Sequence, residues 1–359
     1  MSRIFTILFL VIVAVFLTAG SLYRYKEPTP LTINYPAYFG NRITIPADNP
    51  TTEEGVKLGR MLFYDPLLSS TNRISCATCH QQKFAFTDGK VFSEGVDGKQ
   101  QPRNTMSLSN LLWVRQFFWD GRVKGLEKQA ETPLTGEHEM GQSLEVSALK
   151  LSDKGDYATY FEKAFGSREI TGLRITYALS QFERTLISSN APYDKYLGGN
   201  HKLSASEENG MHLFYTNPDP SKYIRGAGCG NCHGGTKTYS ELFQNNGLEP
   251  GTADEDRQTI TGQPADESRF RVVTLRNIAL TQPYMHDGRF KTLEEVLDHY
   301  NEHIKQSPTL SPFLKNNSNI PGGQSLALTK KEKEDLISFL NALTDSAFIS
   351  DPSFSDPFK

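Results

Sequence analysis

Cys76-Ala77-Thr78-Cys79-His80 and Cys229-Gly230-Asn231-Cys232-His233 together use all 4 cysteines of this 359-residue chain. Four cysteines in an exported protein would ordinarily suggest two disulfides. Here each pair is separated by two residues and followed at once by histidine. Two thioethers to porphyrin vinyl groups and an axial imidazole on the next residue all reach one macrocycle at that spacing. One such stretch could arise by chance, whereas two that consume every cysteine predict two covalently bound haems c. One is held by Cys76, Cys79 and His80, the other by Cys229, Cys232 and His233.

Outward from the two motifs the chain repeats itself. Glu53-Glu54-Gly55 and Leu62-Phe63-Tyr64-Asp65-Pro66 precede the first; Glu207-Glu208-Asn209-Gly210 and Leu213-Phe214-Tyr215-Thr216-Asn217-Pro218 precede the second. Downstream, Arg103-Asn104, Asp120-Gly121-Arg122 and Leu126-Glu127 are matched by Arg276-Asn277, Asp287-Gly288-Arg289 and Leu293-Glu294. Each copy closes with an amphipathic pattern: Ile175, Leu179, Phe182 and Leu186 in the first, and Leu336, Phe339, Leu340 and Leu343 behind a Thr329/Glu332 capping box in the second. The reading is a mostly α chain with two tandem cytochrome c-like haem domains, at 52–190 and 191–347, and a short tail at 348–359. The stretch 23–51, rich in proline from Pro28 to Pro50, reads as a tether or a strap over the surface.

The N-terminus and the overall charge bear on location and partners. Arg3 precedes an apolar run from Ile4 to Phe16 and the small residues Thr18 to Ser21, an export signal over residues 1–22 that places the protein in the periplasm. The run is shorter than the roughly 20 residues that comfortably span a bilayer, and no A-x-A site follows it, so a cleaved signal and a retained membrane anchor both fit. No cysteine follows the run for lipid attachment. Net charge is -3, with acids and bases scattered, so nothing suggests a nucleic-acid partner. A small redox protein or peroxide fits equally, and a homodimer is compatible with the composition.

His80 and His233 give each iron one ligand, so the chemistry depends on the other face of each porphyrin. In the second copy a Thr292/Glu295 capping box opens a helix whose inward face carries Leu293, Val296, Leu297, Tyr300 and Ile304. Tyr300 is the potential iron ligand on that face, with a packed core tyrosine as the plain alternative. His299 and His303 on its flank, and Met285 in a loop, are runners-up. Counted from the Asp-Gly-Arg anchors, Tyr300 corresponds to Pro133, which has no atom that binds iron. The second haem can be closed while the first stays open. Gln129, Glu137, His138 and Glu139 lie near Pro133 in sequence, either as polar surface or as the group that moves a proton between peroxide oxygens.

Arg103-Asn104, Phe118-Trp119-Asp120-Gly121-Arg122, Leu126-Glu127 with Gln129-Ala130, Pro133, Glu139-Met140, and Leu275-Arg276-Asn277 through Pro283-Tyr284-Met285-His286-Asp287-Gly288 resemble the bacterial di-haem cytochrome c peroxidase / MauG family, over nearly the whole chain after residue 50. The resemblance implies a cytochrome-c peroxidase. The N-terminal haem would be peroxidatic, the C-terminal one would handle electrons, and the donor would be a small cytochrome c or cupredoxin. It implies Glu139 as acid/base catalyst with Gln129 beside it, and Trp119 as an electron relay between the haems, where a buried core tryptophan is the plain alternative. Asn104, Thr281 and Pro283 would hold a calcium ion.

Two departures from ordinary peroxidases stand out. Between Gln81 and Gln101 there is no histidine to block the first haem, which is therefore expected to be five-coordinate without prior reduction. Tyr300 stands where a typical peroxidase has methionine. A thioether raises a haem potential, whereas a phenolate favours higher oxidation states. That resembles the MauG branch, which uses peroxide to oxidise a protein side chain. A non-catalytic electron-transfer cytochrome would need both irons six-coordinate, and Pro133 argues against it.

Overall fold

The computed structural model describes residues 26–248, 256–315 and 317–359; the leader at 1–22 lies outside them. Among the described residues no helix is long and apolar enough to cross a membrane. Helix α1 (Glu53–Tyr64) starts where the Thr52 hydroxyl accepts the Gly55 N–H at 3.0 Å, an N-cap that satisfies an otherwise orphaned donor. The first module continues through α2 (Leu126–Thr135), α3 (Leu144–Ser152) and α4 (Tyr157–Phe165) to α5 (Gly172–Arg184). The second has α6 (Ala205–Tyr215), α7 (Leu293–Glu302) and α8 (Lys330–Asn341). Capping boxes open α7 at Thr292/Glu295 and α8 at Thr329/Glu332, as their sequences predict.

Each module is built around one tight helix crossing, α1 on α5 and α6 on α8. A Cβ on Gly59 would overlap the Ala178 carbonyl oxygen, and one on Gly210 would overlap that of Asp335. The duplicated sequence therefore encodes a duplicated backbone contact, for which only glycine leaves room. Gly59 precedes Leu62-Phe63-Tyr64 as Gly210 precedes Leu213-Phe214-Tyr215, so Gly59 rather than Gly55 is the counterpart of Gly210. Behind these crossings lie two cores, one containing Leu58, Leu62, Phe63, Phe86 and Phe182, the other Leu213, Phe214, Leu336, Phe339 and Leu340. The helices stop slightly before their apolar patterns do. Leu186 and Leu343 lie just past the ends of α5 and α8 yet remain fully buried.

Two antiparallel ribbons meet between the modules: β1 (Gln116–Phe117) with β2 (Val123–Lys124), and β3 (Phe243–Gln244) with β4 (Phe270–Arg271). The Arg271 N–H donates to the Trp119 carbonyl at 2.7 Å, and Arg257 Nη1 donates to the Asp120 carbonyl at 3.0 Å.

The first and last described segments both cross between modules. The segment before α1 donates the Thr29 N–H to Glu54 (2.7 Å) and buries Phe39 beside Leu112 and Trp113. It also reaches the second module, where Tyr38 donates to Asp194 (3.1 Å) and Thr236 donates to the Tyr38 carbonyl (2.9 Å). The C-terminal segment returns to the first module: Phe348 joins its core, and Tyr64 donates to the Phe354 carbonyl at 2.6 Å.

Candidate functional site

The two Cys-x-x-Cys-His stretches fold alike. Cys76–Cys79 is one helical turn with the His80 N–H donating to the Cys76 carbonyl at 2.9 Å; Cys229–Asn231 is a tighter turn with the His233 N–H on the Cys229 carbonyl at 2.9 Å. The four cysteines form no disulfide. His80 Nδ1 lies 2.8 Å from the Phe86 carbonyl oxygen and His233 Nδ1 lies 3.1 Å from that of Val273. A carbonyl only accepts, so Nδ1 carries the proton and Nε2 is left as the ligand atom, the arrangement that orients a metal-binding imidazole. Burial keeps both rings neutral: it lowers the His80 pKa and pulls His233 down to about 4.

A cavity of ≈ 250 Å³ adjoins the second motif, with Cys229, Cys232, His233, Arg271, Met285 and Tyr300 on its wall. The residues fit a haem. The Arg271 Nε is buried with no hydrogen-bond partner among the described residues, and desolvation pulls its pKa down to about 10 against the opposing pull of Tyr239 and Glu241. A buried cation whose desolvation outweighs the pull of its nearby carboxylate is costly, and a haem propionate would supply further negative charge.

The helix α7 face predicted to look inward does so: Leu293, Val296, Leu297 and Tyr300 border the cavity, and so does Ile304, beyond the helix end. Burial pushes the Tyr300 phenol above its ordinary value, while a hydrogen bond from the Asn246 side chain pulls the other way. The runner-up His299 points its Nε2 at the Asn246 carbonyl (3.0 Å). His303 closes the helix, its N–H on the His299 carbonyl at 2.9 Å. Met285 borders the cavity, and its Sδ accepts from Asn246 Nδ2 at 3.4 Å.

Near the first motif, α2 carries Gln129 and Pro133 one turn apart. The chain then turns sharply, with the Glu139 N–H on the Gly136 carbonyl (3.0 Å) and the Met140 N–H on the Pro133 carbonyl (3.0 Å). Desolvation raises the Glu139 pKa and Arg122 works against that rise. Glu139 is close enough to Cys76 and Cys79 to add to the upward shift that burial gives both thiols. Gln129 Oε1 is buried without a partner among the described residues. Glu137 is exposed, and His138 faces outward to Asp97 at 2.9 Å. The segment that lacks a histidine packs behind Glu139: the Val96 N–H donates to the Glu139 carbonyl at 2.9 Å, and Gln101 donates to the His138 carbonyl at 2.5 Å.

Trp119, in the turn of the β1–β2 ribbon, borders the second motif's cavity and donates Nε1–H to the Asn104 carbonyl at 2.8 Å. Asn104, Thr281 and Pro283 border the same cavity, and the Asn104 N–H donates to the His286 carbonyl at 2.7 Å. Arg271 and Asn246 escaped the sequence reading because neither belongs to a spaced motif. So did Glu183 on α5, a buried acid whose Oε2 has no partner. A charged residue in an apolar helical pattern was the only available signal for Glu183.

Duplicated modules, each presenting a pair of free cysteines and a neutral imidazole, define a protein with two c-type haem sites whose surroundings differ. Residues 53–202 match the family described as di-haem cytochrome c peroxidase. The methylamine utilization protein MauG of Methylorubrum extorquens is 36% identical over 302 residues, covering 83% of this chain and 80% of that protein. Cytochrome c551 peroxidase of Nitrosomonas europaea is 37% identical over 259 residues, 71% of this chain and 75% of that one. A solved structure of a MauG-like protein associated with microbial copper homeostasis superposes with a TM-score of 0.82 at 34% identity, covering 92% of this chain and all of the other. The chain belongs to the di-haem cytochrome c peroxidase / MauG family, whose cofactors are two haems c.

Proposed function

We propose that the chain is an exported di-haem peroxidase that reduces hydrogen peroxide to water beside His80, with electrons entering by way of the second module. The observation that carries this reading is the difference between the two sites. Pro133, Gln129 and Glu139 accompany the first motif, whereas Tyr300 borders the cavity of the second. The haems supply the two electrons that peroxide takes up; the residues supply position and protons. Glu139, its affinity for a proton raised by desolvation, takes the proton from the near oxygen and returns it to the far one. Gln129 Oε1, lacking a partner among the described residues, accepts a hydrogen bond from the bound peroxide and holds it in line. The balance is one peroxide, two electrons and two protons to two waters. Trp119, hydrogen-bonded to Asn104 and bordering the second cavity, is the relay between the modules, and a small cytochrome c or a cupredoxin delivers electrons one at a time. We assign calcium to Asn104, Thr281 and Pro283, which border one cavity; metal analysis of the purified protein tests this.

A second reading keeps the peroxide chemistry but takes the electrons from a side chain of a protein substrate. Tyr300 favours it, because a phenolate stabilises high oxidation states and makes the second haem a poor reservoir of electrons. Glu139→Gln tests what both readings share: the rate of reaction with peroxide should fall by about 10²–10⁴-fold with haem content unchanged. A wild-type rate would remove Glu139 from the mechanism.

A further inference from the structure

Tyr300 and Met285 both border the second cavity and carry an oxygen and a sulfur of the kinds that bind haem iron, and Asn246 borders the same cavity beside them. Asn246 Nδ2 donates to Met285 Sδ at 3.4 Å, and the same side chain lies close enough to Tyr300 to oppose the upward pull of burial on its phenol. The amide is firmly placed. Asn246 lies in a tight turn where Asn245 Oδ1 accepts the Gly247 N–H at 2.8 Å, and its own carbonyl faces His299 Nε2 at 3.0 Å. Met285 is also held: its backbone has φ 72°, a left-handed conformation uncommon outside glycine, and its carbonyl accepts the Gly288 N–H at 3.2 Å.

We propose that Asn246 is a positioning residue that selects Tyr300 over Met285 as the sixth ligand of the second haem. An N–H donor stabilises an anionic oxygen far more than a neutral thioether. The amide therefore lowers the energy of the phenolate-bound arrangement and retains the unused sulfur as a weak acceptor. Without the donor, the phenolate would stand in a largely apolar cavity with no hydrogen bond of its own, and the thioether, which needs none, becomes the better ligand. The selection fixes the redox character of the second haem, since thioether ligation raises its potential and phenolate ligation lowers it. It rests on the assignment of Tyr300 as ligand made above.

The test compares Asn246→Leu, Tyr300→Phe and Met285→Leu holoproteins by EPR, near-infrared absorption and redox titration of the second haem. Asn246→Leu should lose the phenolate signature, gain the thioether-to-ferric charge-transfer band and titrate at a higher potential. Combining it with Met285→Leu should abolish that band, while Met285→Leu alone should resemble wild type. If Asn246→Leu fails to take up both haems, Asn246→Asp replaces it, being of equal size but unable to donate when ionised. A wild-type spectrum and potential in the Asn246 variant, with a changed spectrum in Tyr300→Phe, overturns the selection role alone. Wild-type spectra in both variants overturn the Tyr300 assignment as well.

Discussion

In the proposed mechanism Glu139 and Arg122 set the pH at which the first site works. Glu139 acts as a base only when ionised, and desolvation raises its pKa while Arg122 holds the rise in check. The peroxide rate should therefore climb with pH along a limb lying above the ordinary glutamate range. Arg122→Gln removes the restraint, so its limb should move to higher pH, measurable by stopped-flow across pH; an unmoved limb would dissociate Arg122 from the site. Glu183 provides a separate test. Burial lifts its pKa to about 8, and no group among the described residues satisfies its Oε2. The folded protein then keeps a proton that the unfolded chain loses near the normal glutamate value, so stability falls as pH rises through the interval up to about 8. Glu183→Gln escapes this loss, and its advantage in denaturant midpoint over wild type should widen from pH 5 to pH 8. An advantage that shrinks with pH would mean that Glu183 is ionised and paired.

At the scale of elements, the helix crossings are the most sensitive contacts. Gly59 and Gly210 each face a backbone carbonyl that cannot move aside as a flexible side chain would. Gly59→Ala or Gly210→Ala should each cost about 3 kcal/mol in unfolding free energy, and a loss below 0.5 kcal/mol, on the order of an ordinary surface change, would show that the crossings are looser than described. The elements were largely legible in the sequence because their signals are local. Thr329 with Glu332 announces the start of α8, and the Leu-Phe-Tyr repeats mark equivalent ends of α1 and α6. The face of α7 that places Tyr300 at the cavity followed from helical spacing alone. Arg271 and Asn246 were not legible because their roles arise from contacts made across the fold. Arg271 comes to the cavity through a two-residue strand paired with Phe243, and Asn246 through a tight turn. A single sequence carries no periodic signal for either.

At the scale of the molecule, the first and last described segments are each bound into the structure beyond the neighbouring helix. The segment from Thr29 to Thr52 contacts both modules, and Phe348, which follows the second module in sequence, packs against Phe86 of the first with ring centroids 5.5 Å apart. These contacts tie the modules together around the ribbons that carry Trp119 and Arg271. Phe348→Ala should destabilise the protein by about 3–5 kcal/mol, seen as a lower denaturant midpoint for the first module, whereas an unchanged midpoint would mean that the returning segment contributes nothing to its core. Communication between the two sites is central to the proposed function, and low-temperature EPR of the fully oxidised protein, before and after an equimolar addition of hydrogen peroxide, tests it most directly. One high-spin ferric signal from the His80 site and one low-spin signal from the His233 site are expected, both collapsing together on addition. Two low-spin signals that ignore peroxide would contradict the proposed function and leave a protein that only carries electrons.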